Sequence, residues 1–342
     1  MAEIKRALLF VNSHKAEASV LAVEVSGELA RLGIVAVSWP AANATWGKPM
    51  FSEGLPPAIE AEKGFGLAFS LGGDGTVLYA ARTIAPYGVP VFPINIGTLG
   101  FIAVVHPDEW RSVFEAWRHG AVGISRRLML EVTVERQGKI IARASCMNDA
   151  VISASGIAKI IRLQVASDTS CPLDTSCPLD TSCPSDTRCP KDISRLSDTA
   201  RSLEDTCPSD VGRRYMRLGN YRSDGLIVAT PTGSTAYSVA AGGPILDPEI
   251  EALIINPICP FTLSNRPIVV PANETVIVEV EKEQRSDVLL TVDGQVTEPL
   301  EPEDKVFIRK ADYDAQLIAS GREGFYKALQ TKLNWSGGSP HA

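Results

Sequence analysis

Residues 65–76 read Phe-Gly-Leu-Ala-Phe-Ser-Leu-Gly-Gly-Asp-Gly-Thr. An apolar run of strand length, 65–71, leads straight into Gly72-Gly73-Asp74-Gly75, and Val77, Ala81 and Ile84 then recur at helical spacing over 76–85. A strand that ends on glycines and restarts as a helix can approach an anion closely. Glycine tolerates φ > 0, and the free N–H groups of the first helical turn point at anionic oxygens. The stretch is neither Gly-x4-Gly-Lys-Ser/Thr nor Gly-x-Gly-x-x-Gly, which weakens a hydride-transfer reading. Asp74 is the informative residue. A carboxylate in such a loop repels phosphate unless it serves as a base or binds a metal, and either role suits phosphoryl transfer. Taken alone, the same residues also read as a plain Gly/Asp turn.

Outward from this segment, strands and helices alternate. Residues 7–11 form a short apolar strand. Ala18, Leu21, Val25, Leu29 and Leu32 follow at helical spacing until Gly33, and 34–38 and 89–94 read as strands. Pro107-Asp108-Glu109 opens a helix carrying Trp110, Val113, Phe114 and Trp117, which Gly120 ends. Such alternation predicts a parallel sheet with helices on both faces. Beyond about residue 126, strands dominate. Segments 128–134 and 139–147 flank a Gln137-Gly138 hairpin turn, and 160–166, 225–230, 267–270, 275–281, 287–292 and 305–309 are strand-like. The expected fold class is α/β + β: a Rossmann-like α/β domain over 1–125, then a β-rich, β-sandwich-like domain over 126–310.

Residues 168–210 interrupt the second half. Asp-Thr-Ser-Cys-Pro-Leu occurs at 168–173 and 174–179 and then decays while Asp192 and Asp198 keep the six-residue phase. The segment has no aromatic residue and few large apolar ones, so it is expected to be a disordered, solvent-exposed insertion. It holds eight Asp, Glu204 and four bases, a net −5 of the chain's −7. The remaining −2 argues against a nucleic-acid surface, which shows a basic excess. Of seven cysteines, five (Cys171, Cys177, Cys183, Cys189 and Cys207) lie in this insertion at spacings unlike those of zinc sites, and no metal site is assigned. No apolar stretch among the 342 residues reaches membrane-spanning length, and the N-terminus lacks signal-peptide features. A cytoplasmic protein without membrane partners is expected.

Other segments carry polar groups at strand ends. Asn95-Ile96-Gly97-Thr98-Leu99-Gly100-Phe101 follows a strand, where open α/β sheets bind ligands. Asn148-Asp149 ends an apolar strand, where a carboxamide and a carboxylate need partners. Thr230-Pro231-Thr232-Gly233-Ser234-Thr235-Ala236-Tyr237-Ser238 follows another strand and offers hydroxyls for helix capping or for a nucleoside. Asp293-Gly294-Gln295 reads by itself as a hairpin turn and nothing more.

Together these motifs resemble the bacterial NAD kinases over nearly the whole chain outside 167–214. The resemblance rests on Gly72-Gly73-Asp74-Gly75, Asn95-x-Gly97-x-Leu99-Gly100-Phe101, Asn148-Asp149, the run from Asp224-Gly225 to Tyr237-Ser238, Asn265-Arg266-Pro267-Ile268-Val269 and Asp293-Gly294-Gln295. It implies NAD held between the two domains and a C-terminal segment, 311–342, that packs back on the first. It implies Asp74 as proton acceptor, with Gly72, Gly73, Gly75, Thr76 and Phe101 around it. Asn148, Asp149, Lys159, Arg222, Asp224, Thr235, Ala236, Tyr237, Ser238, Val239, Ala240 and Gln295 fall on NAD-contacting positions. A divalent metal such as Mg²⁺, ATP or polyphosphate as donor, and a homodimer or homotetramer are likewise implied. One departure is Phe261, in Cys259-Pro260-Phe261, where the family carries an imidazole. A lipid kinase with the same glycine loop would need an apolar acceptor cleft, which the polar run at 230–238 disfavours. A non-catalytic NAD sensor would have no use for Asp74.

Overall fold

The computed structural model describes residues 4–41, 64–98, 100–156, 160–168, 215–262, 265–284 and 286–333. The first unit comprises β1 (Arg6–Val11), α1 (Ala16–Arg31), β2 (Val35–Pro40), β3 (Leu67–Gly72), α2 (Asp74–Ile84), β4 (Val91–Asn95) and α3 (Trp110–Arg118). Strands β2-β1-β3-β4 lie side by side and parallel. β3 and β4 are buried at every position, as strands covered on both faces must be. Alternate residues sort the faces. Leu9, Phe69, Leu71 and Phe92 pack against α1 and α3, where Trp110 and Phe114 form an aromatic cluster with Phe69. Leu8, Phe10, Ala68 and Val91 pack against Val77, Leu78 and Ala81 of α2.

The remainder is mostly β: β5 (Ile124–Arg136), β6 (Lys139–Cys146), β7 (Asp149–Ala154), β8 (Ile161–Asp168), β9 (Tyr215–Ser223), β10 (Gly225–Ala229), the one-turn α4 (Tyr237–Ala240), β11 (Ala252–Ile258), β12 (Ile268–Pro271), β13 (Thr275–Val280), β14 (Val288–Val292), β15 (Val296–Leu300), β16 (Lys305–Ile318) and α5 (Arg322–Leu333). One sheet runs β12-β11-β10-β7-β14-β15. Ile152, Leu226, Val228, Leu253 and Leu290 of that sheet face Leu130, Val132, Leu163, Val276 and Val278 of the other layer, giving a sandwich core.

That other layer is continuous with the first unit. The ten-stranded sheet runs β2-β1-β3-β4-β16-β13-β8-β9, with β5 and β6 beside β16. Expected to end at 309, β16 extends to Ile318. It pairs antiparallel with β13 near its start and parallel with β4 at Leu317↔Val91 near its end. A register shift between Lys310 and Asp314 marks the bulge at which it passes from the sandwich to the parallel sheet. Beyond it, the Ser320 hydroxyl donates to the Ile102 carbonyl at 2.9 Å, and Phe325 of α5 sits 6.4 Å from the Phe101 ring.

Four strands, β7, β9, β11 and β15, go beyond the sequence expectation. Asp168, assigned above to the insertion, is the last residue of β8 and the register partner of Tyr215. The rest of the insertion, with its five cysteines, lies outside the described residues, as does Lys159. Among the described residues no helix is long and apolar enough to cross a membrane.

Candidate active site

The C-terminal ends of β1, β3 and β4 meet at Gly72–Gly75. Gly72 is required by space, because a Cβ there would lie 2.2 Å from Thr76 Oγ1. Gly73 precedes the first residue of α2; the Thr76 N–H turns back to the Gly73 carbonyl at 2.9 Å, while the N–H groups ahead of it have no preceding helical turn to accept them. Lys15, in the loop after β1, donates its ammonium to the Ile96 carbonyl and brings a cation beside Gly97.

Asp74 turns its carboxylate across to the loop after β4. Oδ2 accepts the Phe101 N–H at 2.9 Å, and Oδ1 accepts those of Ile102 at 3.2 Å and Ala103 at 2.9 Å. Gly100 makes room for this, since a Cβ on it would fall 2.0 Å from Asp74 Oδ1. An ionised carboxylate offers about four acceptor positions, so Oδ2 has one left after bonding Phe101.

A second carboxylate repeats the arrangement in the sandwich. Asp293 and Gly294, both with positive φ (50° and 64°), are the central residues of the turn between β14 and β15, which the Gln295 N–H closes on the Val292 carbonyl at 2.9 Å. Asp293 Oδ1 accepts the N–H groups of Asn148 (2.8 Å) and Asp149 (3.3 Å), and Oδ2 that of Met147 (3.2 Å). This fixes the bend between β6 and β7. The segment after β10 is tied to the same bend: Thr230 Oγ1 donates to the Met147 carbonyl at 2.5 Å and accepts the Gly233 N–H at 3.0 Å. Gly233 itself packs against the Asn148 backbone so closely that a Cβ would meet Asn148 O at 2.0 Å. The turn Thr232–Thr235 and helix α4 are thus held beside Asn148–Asp149. Asn148 Oδ1 and Thr232 Oγ1 are buried there and find no hydrogen-bond partner among the described residues, although buried polar atoms ordinarily do.

The two halves join at Gln295. Its Nε2 donates to the Gly75 carbonyl at 2.9 Å, and its Oε1 accepts from Arg82 Nη2 at 2.7 Å. Arg82 Nη1 reaches Asp293 Oδ2 at 3.5 Å. Burial pushes the Asp149 carboxyl up to about 7, with the neighbouring Asp293 carboxylate adding to the shift. Burial also raises Asp293, against the opposing pull of Arg82 and the three N–H donors. The three N–H donors and Arg82 favour the anion on Asp293, while burial and the neighbouring carboxylate push Asp149 toward its neutral acid.

Asp74, Gly72, Gly73, Gly75, Thr76, Phe101, Asn148, Asp149, Gln295 and the segment carrying Thr235, Ala236, Tyr237, Ser238, Val239 and Ala240 therefore belong to one connected region. Arg222 and Asp224 do not. They precede β10, whose register sets Gly225 opposite Ser153 and Ala229 opposite Asp149, about 14 Å apart along the strand. There the Arg222 guanidinium lies 5.6 Å from the centre of the Phe261 ring, so Phe261 provides a cation–π face. Sequence reading missed Lys15, Arg82 and the carboxylate of Asp293. The Asp-Gly turn signal located Asp293 without showing that its side chain is buried.

A parallel α/β unit continuous with a β-sandwich recurs in solved structures. The fold matches a yeast NADH kinase complexed with NADH (TM-score 0.74, 20% identity, covering 99% of this chain and 90% of that one). It also matches an Archaeoglobus fulgidus NAD kinase in complex with ATP (TM-score 0.61, 20% identity, 97% and 99%). Residues 57–122 match the ATP-NAD kinase N-terminal domain family and 202–320 the ATP-NAD kinase C-terminal domain family. NAD kinases of Treponema denticola (33% identity, covering 98% of both chains) and Syntrophotalea carbinolica (37%, covering 79% of this chain and 78% of the relative) are among its relatives. The chain belongs to the NAD kinase family.

Proposed function

We propose that the chain transfers the terminal phosphate of ATP to the 2′-hydroxyl of the adenosine ribose of NAD, giving NADP, with Asp74 as proton acceptor. The observation that carries this reading is the Gln295–Gly75 hydrogen bond. It sets the hairpin of the sandwich against the glycine loop, so groups suited to a nucleoside and groups suited to phosphate meet at Asp74. Backbone N–H groups of Gly72–Gly75 and the start of α2 receive the phosphates. Asn148, Asp149 and residues 235–240 receive NAD, and the unpartnered Asn148 Oδ1 and Thr232 Oγ1 supply acceptor and hydroxyl. As the ribose oxygen bonds to the γ-phosphorus, its proton passes to Asp74 Oδ2 and the bond to the β–γ bridging oxygen breaks, releasing ADP.

Among the described residues no three His, Cys, Asp or Glu side chains converge on a metal position. Mg²⁺, the ion that the family resemblance implies, binds largely through water and substrate phosphates. The residues that hold the phosphates would hold the ion with them, and it would neutralise charge on the transferred group. Lys159 belongs to this reading as a further polar contact. Arg222 and Asp224 meet NAD only if their end of β10 faces the pocket of a second copy, which suits the homodimer or homotetramer that the family resemblance implies. A cytoplasmic setting is part of the same reading.

Incubating the purified protein with ATP, Mg²⁺ and NAD should yield NADP. Asp74→Asn should lower turnover about a hundredfold or more while NAD still binds. Phosphate transfer to diacylglycerol with none to NAD would overturn the assignment. Near-normal turnover of Asp74→Asn would reduce Asp74 to a loop anchor.

A further inference from the structure

Helix α2 starts at Asp74, in the glycine loop, and ends at Ile84 under the sandwich. Arg82, in its last turn, makes two contacts at once: Nη2 to Gln295 Oε1 at 2.7 Å and Nη1 to the buried carboxylate of Asp293 at 3.5 Å. Side chains on a helix lean toward its N-terminus, which brings the guanidinium back toward the level of Gly75, where Gln295 closes the chain of hydrogen bonds. On the far side, Asp293 holds the N–H groups of Met147, Asn148 and Asp149. A continuous polar link thus runs from the phosphate side of the site to the nucleoside side.

We propose that Arg82 is a positioning residue for phosphoryl transfer: its guanidinium holds Gln295 and Asp293 and so ties the Asn148–Asp149 bend to the helix that carries Asp74. The proposal rests on the function assigned above and adds a residue that none of the sequence motifs contains. Its logic is one of charge. The Asp293 side chain is fully buried, and an ionised carboxylate without a counter-charge is costly there. Among the described residues, the charged groups that act on it are Arg82 from α2 and Asp149 from β7. Without Arg82 the remaining pair is two acids with no cation. Protonation of Asp293 would then turn an acceptor into a donor against the backbone N–H groups of 147–149, and the bend would loosen. Arg82 acts through Gln295 and Asp293, so its effect should fall on alignment more than on binding. Misplacement of about 1 Å costs about a hundredfold in rate.

The test uses steady-state NADP formation from pH 5 to 9 with Arg82→Ala, Arg82→Gln and Arg82→Lys. With either neutral variant, kcat should fall about tenfold or more, the KM for NAD should change far less, and the acid limb of kcat/KM should move to higher pH as the acids lose their cation. Arg82→Lys keeps the charge without the two-pronged fork, so it should leave the acid limb in place and recover part of kcat. If Arg82→Ala does not fold, Arg82→Gln, of similar reach, carries the same comparison. A folded neutral variant whose kcat and acid limb match wild type would overturn the proposal. So would a fall in melting temperature with no move of the acid limb, since a merely structural residue behaves that way. Wild-type protein that makes no NADP would instead refute the assigned function, so the two failures are distinguishable.

Discussion

Gly100→Ala adds one methyl group at the most crowded point of the site. Its Cβ would lie 2.0 Å from Asp74 Oδ1, 2.6 Å from Cγ and 2.8 Å from Oδ2, so either the carboxylate or the 100–103 loop must move by more than an ångström. The hydrogen bonds from Phe101, Ile102 and Ala103 to Asp74 measure 2.9, 3.2 and 2.9 Å, and a shift of that size takes at least two of them out of range. At about 1.5–3 kcal/mol for a hydrogen bond to a charged group, the loss is about 3 kcal/mol or more, enough to lower the melting temperature by about 5 °C. Displacing the proton acceptor by the same distance should cost about a hundredfold in turnover. Thermal unfolding and NADP formation measure the two effects. The decisive comparison is Asp74→Ala with Asp74→Ala/Gly100→Ala. Once the carboxylate is gone the methyl has room, so the second change should add less than about 0.5 kcal/mol. Wild-type-like behaviour of Gly100→Ala, or additive costs in the double variant, would refute the reasoning.

Two further expectations concern stability. Asp149 holds its proton up to about pH 7 in the folded protein, whereas in the unfolded chain it releases it near 3.9. Stability therefore falls as pH rises from about 4 to 7, by on the order of 4 kcal/mol in total. Asp149→Asn should melt above wild type at pH 8, with the gap closing toward pH 4; a gap independent of pH would contradict the assignment of that proton. Separately, Asp168 and Tyr215 are direct register partners, so replacing 169–214 by Asn-Gly should preserve folding and keep turnover within about twofold of wild type. Loss of folded protein would show that the segment contributes to the enzyme.

How far the fold could be read in advance depended on how local the signal was. β1, β3 and β4 are short apolar runs between helices of regular period, and both properties lie within a few residues. β9 and β15 lie at sheet edges, and Pro299 in β15 is tolerated only there. β11 contains Pro257, which lies beyond Ile255, the last residue that β12 pairs. Such strands are defined by neighbours distant in sequence, so their own residues carry little signal. The continuation of β16 past 309 was hidden by its bulge at 310–314, which breaks the period of two. In the site, Gly72–Gly75 and Asp74 were legible because a strand-to-helix turn is local. Arg82 was not, because nothing in its own helix shows that a carboxylate from a hairpin more than two hundred residues away lies above it.

The two buried-side acids explain why the site needs Asp in both places. Asp74 gathers three successive backbone N–H groups, 101–103, and Asp293 gathers another three, 147–149. Only an acceptor with two oxygens and no donor can take three N–H groups at once; Asn would oppose one of them with its own NH₂. Each acid thereby turns an irregular loop, which would otherwise carry unpaired backbone groups, into a fixed surface. α2 joins the two. Asp74 is its first residue and Arg82 lies eight residues on, about 12 Å along the axis, so the helix sets the separation between the loop at the donor side and the bend at the acceptor side. A reaction that brings a hydroxyl and a phosphorus into line needs that separation held to a fraction of an ångström. A single helix pinned near both ends by carboxylates holds it more firmly than contacts across two independently mobile domains would.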